Sequence, residues 1–327
     1  FRMIVLVPTF EMKHLLHSFF KQIYRYTRSR SYRHSEKIWP FMQVKRNAEG
    51  YFERISYWGK PIEFERLDAI TLPPESDLLI LASGPSIKNL NLNLLKQADW
   101  MAVNGAVSIL SDYPNQSLKY YLVLDQGFVV DRIDIIASLI SNKQLIFITN
   151  LYCLNYIFQL LGYDAFKARL ILLEDRQLPV YLPKRSAIEM AEASKNPWQF
   201  LNWDVKKNVG FSLNLEQGYI CGRTVVYLGL QLAAHWRYSR VFLAGVDMTR
   251  FNQPRFYEKL ETQLPTKLDQ EFAEGVYPSF QIASKTYHEQ GIEAYNLCLD
   301  SGLDDSIFLR VKIIEPVISG KEVKIVK

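Results

Sequence analysis

The chain of 327 residues is 48% hydrophobic and 22% charged, ordinary proportions for a soluble globular protein and enough for one large domain with appendages or two domains. No apolar run approaches the roughly 18–20 residues that span a bilayer, and Cys153, Cys221 and Cys298 are too scattered for a structural zinc site and suit a reducing cytoplasm. The net charge of +5 is localised: twelve Lys/Arg stand against five Glu between Met12 and Arg66, and the remainder is close to neutral.

The opening FRMIVLVPTF is too short to span a membrane and no small-residue cleavage site follows it, so it stays outside the fold argument. Residues 12–27 place Leu15, Leu16, Phe19, Phe20 and Ile23 on one helical face, with Lys13, His17, Lys21 and Arg25 elsewhere on the wheel. The basic RSRSYRH follows. A basic amphipathic helix with exposed aromatics is the form of a membrane-surface anchor, with His14 and His17 toward solvent or head groups. The competing reading packs Phe19 and Phe20 onto the protein's own core or a partner subunit, which leaves room for a homo-oligomer. No recognition motif accompanies the charge, which argues against nucleic acid. Residues 1–70 are read as a basic amphipathic N-terminal extension.

From about Leu72 short apolar runs recur: 77–83, 100–105, 120–125, 145–150, 169–174, 240–247 and 292–298. They are continuous rather than alternating, as parallel strands covered on both faces are. The intervals suit crossover helices. The predicted fold is α/β: a Rossmann-like, doubly wound, mainly parallel sheet with helices on both faces. Residues 71–248 form its core, 249–280 a polar, aromatic lid insertion after a strand, and 281–327 the C-terminal part of the core. Residues 176–214, with Pro179, Pro183 and Pro197, read as irregular. Trp198, Phe200 and Trp203 there read as core or interface. Glu174 and Asp175 read as a solvated pair rather than metal ligands, and His235 as a helix-end residue favoured by the dipole.

In open α/β sheets ligands sit at the carboxyl ends of the strands. Those ends carry Ser83-Gly84-Pro85-Ser86, Asn104-Gly105, Asp125-Gln126-Gly127, Thr149-Asn150, Glu174-Asp175 and Gly245-Val246-Asp247. Small amides and hydroxyls there suit a base, a ribose and phosphate oxygens, and a helix start after Pro85 would favour an anion. The turn is neither a Walker A loop nor G-x-G-x-x-G, which weakens ATP and NAD readings. Asp125 and Asp247 have a plainer use as helix caps.

The combination ILASGPSI (80–87), MAVNGA (101–106), YLVLDQG (121–127), the stretch from Gly222 to Met248, and AYNLCLDS (294–301) resembles the bacterial CMP-sialic-acid transferases of the single-domain Rossmann-like type. It is also similar to the motility accessory factors that transfer nonulosonic acids. The resemblance covers roughly residues 76–302. It implies that Ser83, Gly84, Pro85 and Ser86 meet the donor's phosphate and ribose, and that Asn104 recognises the CMP moiety. Asp125, beside Gln126, stands where the family has Asn. Gly222, Arg223 and Thr224 fall beside the phosphate and the sugar carboxylate, which Arg223 could grip bidentately; Asp247 closes the donor site.

This chain departs from the family in the lid. No histidine lies between 249 and 280, where the family keeps its general base; Glu274 comes nearest that place, and His288 lies past it. The two family tyrosines that stabilise the departing phosphate align near Thr249 and Arg255, with Tyr257 and Tyr277 close by. Arg250 or Arg255 could supply the same electrostatic effect.

The resemblance therefore implies an inverting, metal-independent glycosyltransferase with no cofactor beyond its CMP-sugar donor. It would move an ulosonic acid, Kdo in preference to a sialic acid given the changed lid, to a lipid-linked surface glycan such as lipopolysaccharide core. The basic helix would hold it on the anionic cytoplasmic face of the inner membrane. The alternatives are a pterin diphosphokinase-like enzyme using Mg²⁺ and ATP, and a non-catalytic nucleotide-sugar-binding scaffold of envelope assembly.

Overall fold

The computed structural model describes the chain from residue 10 onward and its side chains from residue 16. Helix α1 (Phe10–Thr27) leads through a 3₁₀ run into three antiparallel strands, β1 (Met42–Arg46), β2 (Phe52–Tyr57) and β3 (Lys60–Ile62). The central chain then supplies β4 (Asp77–Leu81), β5 (Asp99–Val103), β6 (Tyr120–Val123), α2 (Gln126–Asp131), α3 (Ile133–Ile140), β7 (Ile146–Thr149), α4 (Leu151–Leu161) and β8 (Arg169–Leu172). After α5 (Ala187–Ser194) and a hairpin, β9 (Leu201–Asp204) and β10 (Val209–Ser212), come α6 (Val225–His235) and β11 (Arg240–Ala244). The chain finishes with α7 (Leu268–Glu271), α8 (Tyr277–Gln290), β12 (Glu293–Asn296), β13 (Leu309–Arg310), and a small ribbon of β14 (Lys312–Ile313) and β15 (Ile325–Val326).

All seven expected runs are strands of one parallel sheet, in the order β13-β12-β11-β4-β5-β6-β7-β8. The continuous apolar runs have a simple cause. Leu79, Leu81, Trp100, Ala102, Tyr121 and Phe147 enter the core on one face. Their neighbours Leu78, Ile80, Met101, Val103, Tyr120 and Ile146 enter a second core on the other. A strand with period-two side chains buried on both faces has no polar positions left.

The chain runs outward from β4 to β8, then returns on the other side of β4 as β11, β12 and β13. The order therefore reverses between β4 and β11, and a crevice opens outside such a switch point. Helix α6 packs over β4, β5 and β6 with Leu228, Leu230 and Leu232 at most 1% exposed, each worth roughly 1.5–3 kcal/mol of burial.

Several expectations are corrected. The first two crossovers are 3₁₀ turns (Pro85–Asn89, Leu92–Leu95 and Asn104–Asp112) rather than α-helices. Residues 176–214 are not irregular: Ser186 and Glu189 form a reciprocal capping box that starts α5, and the β9–β10 hairpin follows. Trp198 and Phe200 are exposed rather than core, and Trp203 is half-buried.

The N-terminal segment also shares the main core, through Ile38, Phe41, Met42, Ile55 and Ile62. Phe20 packs edge-on against Trp39 and Phe41, and Tyr24 is buried. His17 does not face solvent; it stacks on Phe41 at 4.3 Å and bonds Gln159. His14 and Leu15 lie outside the residues whose side chains are described. Phe19 and Tyr26 remain exposed. Among the described residues no helix is long and apolar enough to cross a membrane.

Candidate active site

The end of β4 is tied to the end of β11 residue by residue. The Ala82 N–H donates to the Ala244 carbonyl at 2.8 Å and the Gly84 N–H to the Gly245 carbonyl at 2.9 Å. Asp247 then receives the Ser86 N–H at 3.0 Å and the Ser86 hydroxyl. Nothing larger than Gly84 fits: a Cβ there would lie 2.5 Å from both Asp247 Cγ and the Gly245 carbonyl. Asp247 and Ser86 thus hold the turn shut across the switch point. The helix start expected after Pro85 is only a five-residue 3₁₀ turn.

Beside this turn a cavity of about 640 Å³ opens over the strand ends. It takes Ser83, Gly84 and Pro85 from β4, Asn104 from β5, Asp125 from β6, Gly222, Arg223 and Thr224 from the segment entering α6, and Asp247 from β11. Nine of the residues expected to bind the donor therefore meet in one place. Ser86 and Gln126 do not line it; Gln126 faces Lys37 instead, at 3.4 Å.

Asn104 adopts a left-handed backbone (φ 48°) and its buried Oδ1 has no hydrogen-bond partner. An orphaned amide oxygen inside a cavity is an acceptor waiting for a donor. Asp125 caps α2 through the Gly127 N–H at 2.8 Å, the plainer role considered for it, while still facing the cavity. The α6 N-terminus, from Thr224 to Val226, lines the cavity and no side chain caps it. Its free N–H groups and macrodipole suit an anion. The sequence offers two places for an anion, the turn after Pro85 and, through the resemblance, Gly222-Arg223-Thr224; of the two, only the second opens an α-helix longer than two turns.

The lid covers the opposite side with Thr249, Arg250, Phe251, Gln253, Arg255 and the segment Gln263–Leu268, and reaches Glu271. Its four candidate catalytic residues are dispersed. Arg255 lines the cavity, but its guanidinium is engaged by Glu258 at 2.8 Å. Tyr257 stacks against Gly105, where a Cβ would meet its ring at 2.1 Å, and burial pushes its partnerless hydroxyl up to about 12. Tyr277 donates to Asp304 at 2.5 Å, which raises the phenol, while the Ser306 hydroxyl first and then Tyr277 hold Asp304 down to about 2. Glu274 is exposed in a π-turn (Phe272–Val276) and does not line the cavity.

Sequence reasoning missed two charged lid residues that do line it, Lys267 and Glu271. Glu271 lies 3.9 Å from Arg223, and both are partly exposed. The π-turn accounts for the miss. Alignment with the family's lid, which points to Glu274, fixes a position along the chain, whereas the wider π-turn decides which side chain faces inward.

Two residues read as peripheral are tied into the surroundings. Glu174 is gripped by Arg46 through two bonds of 2.6 and 2.7 Å. Burial pushes the Asp175 carboxyl up to about 6, although it accepts the Gln177 N–H at 2.8 Å. His235 is not a dipole-stabilised cation; burial lowers its pKa, and its Nδ1 bonds the Leu213 carbonyl at 3.1 Å. Among the described residues no group of three His, Cys, Asp or Glu side chains could hold a metal ion.

A family model described as "3-deoxy-D-manno-octulosonic acid transferase WaaZ" matches residues 203–313, from β9 through the lid to β14. A "Probable 3-deoxy-manno-octulosonic acid transferase" of Salmonella typhimurium is 24% identical over 259 residues, spanning 72% of this chain and 87% of the relative. A protein of the same description from Escherichia coli is 23% identical over 261 residues, spanning 76% and 86%. Among solved structures, the sialyltransferase CstII from Campylobacter jejuni in complex with CMP-3FNeuAc overlaps 77% of this chain and 91% of its own, at 15% identity and a TM-score of 0.40. Cst-I from the same organism, a monofunctional alpha-2,3-sialyltransferase, overlaps 76% and 84%, at 16% identity and a TM-score of 0.42. The motif-level resemblance is borne out: the chain is similar, over most of its length, to probable 3-deoxy-manno-octulosonic acid (Kdo) transferases.

Proposed function

We propose that this chain is a glycosyltransferase that moves an ulosonic acid, Kdo, from a CMP-activated donor to a lipopolysaccharide-type glycan. The observation that carries the donor assignment is the orphaned Oδ1 of Asn104, set in the strand-end cavity that the α6 N-terminus also lines. A cytosine amino group supplies the missing N–H, and the helix end receives the phosphate. Both curated relatives are named as transferases, which disfavours the diphosphokinase and scaffold alternatives.

The chemistry is a single inverting displacement without a metal. Arg223 binds the donor's carboxylate through its planar fork. Its partner in the free protein is Glu271. A partly exposed pair of this kind contributes only about 0–1 kcal/mol, so the incoming carboxylate displaces it readily. Glu271, released and already facing the cavity, takes the proton from the acceptor hydroxyl. That oxygen bonds to the anomeric carbon as its bond to the phosphate breaks, and the electron pair leaves with CMP. Lys267, a lid cation with no ion pair among the described residues, stabilises the charge growing on CMP. Phe19 and Tyr26 on α1, beside the basic stretch from Arg28 to Arg33, hold the protein peripherally at the anionic inner face of the inner membrane.

Calorimetry with CMP, CDP and ATP in EDTA, followed by hydrolysis assays on CMP-Kdo and CMP-sialic acid, tests the reading. CMP binding without metal, with turnover of CMP-Kdo, supports it; binding of ATP alone and only with Mg²⁺ would overturn it.

A further inference from the structure

A second cavity, of about 190 Å³, shares no lining residue with the donor cavity. That is several times the roughly 30 Å³ that one water occupies. Arg176 forms part of its wall and is 1% exposed. Among the described residues no carboxylate bonds to it. Its Nη1 donates to the Gln199 carbonyl at 3.0 Å, its Nη2 to Gln199 Oε1 and, at 2.7 Å, to Gln217 Oε1, and its Nε has no partner. Burial, reinforced by the neighbouring Arg185, lowers this guanidinium to about 10, still charged at neutral pH. A buried charge held only by neutral amides is unfavourable unless an opposite charge comes near.

The carboxylates around the cavity do not answer that need, because each already has partners. Glu174 is bound by Arg46 through two bonds and also accepts the Val180 N–H at 2.9 Å. Glu216 faces Arg66 at 3.3 Å and accepts the Leu67 N–H at 3.1 Å. Glu49 accepts from the Asn47 amide at 2.7 Å. Arg185, on the wall beside Arg176, has no ion pair among the described residues. Two guanidinium groups, one buried and one partly exposed, therefore meet at an open cavity with no close ion pair among the described residues; Glu189, already bonded to Ser186, feels the Arg185 charge only at longer range.

We propose that this cavity is an oxyanion site, taking a phosphate monoester or a carboxylate carried by the acceptor glycan. Arg185 supplies the direct contact through its fork and Arg176 the charge behind it. The placement suits an acceptor. Asp175 pairs with Tyr219 of the donor cavity, and the next residue, Arg176, belongs to the second cavity. The identity of the anion's carrier rests on the transferase reading; the anion site itself does not.

The test is calorimetry on the full chain with glucose 6-phosphate, glucuronate and, as the neutral control, glucose. CMP binding is measured separately, and the sugar titrations are run with and without saturating CMP so that the donor cavity is blocked in one arm. Saturable binding of at least one anionic sugar but not of glucose, persisting with CMP and weakened at least tenfold by Arg185→Ala, supports the proposal; which sugar binds tells phosphate from carboxylate. Equal binding by wild type and Arg185→Ala, or no binding of either anion, would overturn it. Arg185 is partly exposed, so this variant folds where a change at Arg176 would endanger the core. Failure of CMP to bind would sink the transferase reading while leaving the anion titration decisive for this site.

Discussion

Glu271 on the lid and Arg223 ahead of α6 face one another at 3.9 Å across the donor cavity, while Glu274, one turn further along, lies outside it. That relationship separates two carboxylates that the linear sequence presents as equivalent. Under the proposed mechanism it also couples donor binding to release of the base, because Arg223 would exchange Glu271 for the donor's carboxylate.

Replacing Glu271 by Gln is expected to lower kcat by about 10²–10⁴, the usual range for a lost general base, and to leave CMP affinity within about twofold. Glu274→Gln retains most of the activity. Steady-state kinetics with CMP-Kdo check both, and the reverse ranking would return the base to Glu274.

Asn104 calls for an unusual probe. Its φ of 48° is one that Asn tolerates and Ala resists, so Asn104→Ala would mix backbone strain with the lost amide. Asn104→Gly removes the amide at a compatible backbone. CMP affinity should fall at least tenfold, about 1.4 kcal/mol, with the melting temperature of the unliganded protein held or slightly raised because a buried, unpaired oxygen is gone. Isothermal calorimetry and thermal unfolding measure the two halves.

Asp175 predicts a pH signature. Its folded pKa, about 6, exceeds the ordinary aspartate value of 3.8 because burial disfavours the anion. The unfolded chain therefore loses its proton first. The neutral carboxyl's advantage is fully present below about pH 4 and is lost as pH rises through about 6. Asp175→Asn keeps an oxygen for the Gln177 N–H and cannot ionise, so it should be more stable than wild type by up to about 3 kcal/mol at pH 7–8, with no gain at pH 4. Urea melts at the two pH values test this; a gain of equal size at both would remove Asp175 as the cause.

On α1, Phe19 is 60% exposed and Tyr26 84%, whereas Phe20 and Tyr24 are committed to the core. The double variant Phe19→Ser, Tyr26→Ser is expected to reduce flotation on vesicles containing phosphatidylglycerol several-fold, without lowering the melting temperature. Undiminished flotation would assign any membrane affinity to the basic charge alone. Deleting the helix would be a poorer test, since it strips Phe41 and Trp39 of their packing.

The strand cores and the donor half of the cavity were legible because both are local. A run such as Leu78-Leu79-Ile80-Leu81 has no polar residue to turn toward water, so a doubly covered strand follows from the sequence. The polar residues at its carboxyl end must then gather where neighbouring strands also end. β13 was not legible, because its two residues, Leu309 and Arg310, carry no periodicity and pair only where β12 presents an edge. Ser186 and Glu189 stand at capping-box spacing, a start signal for α5 that the reading of 176–214 as irregular, drawn from its prolines, did not take up.

The amino-acid sequence by itself determined the parallel sheet, the Gly84 turn and the polar set at the strand ends, because burial on both faces and the small size of Gly84 allow little else. Tertiary structure alone decided that Asp247 clasps Ser86 and that Glu271 rather than Glu274 faces Arg223. Those choices depend on which side chains meet across elements distant in the chain, and on a single π-turn whose phase no local periodicity records.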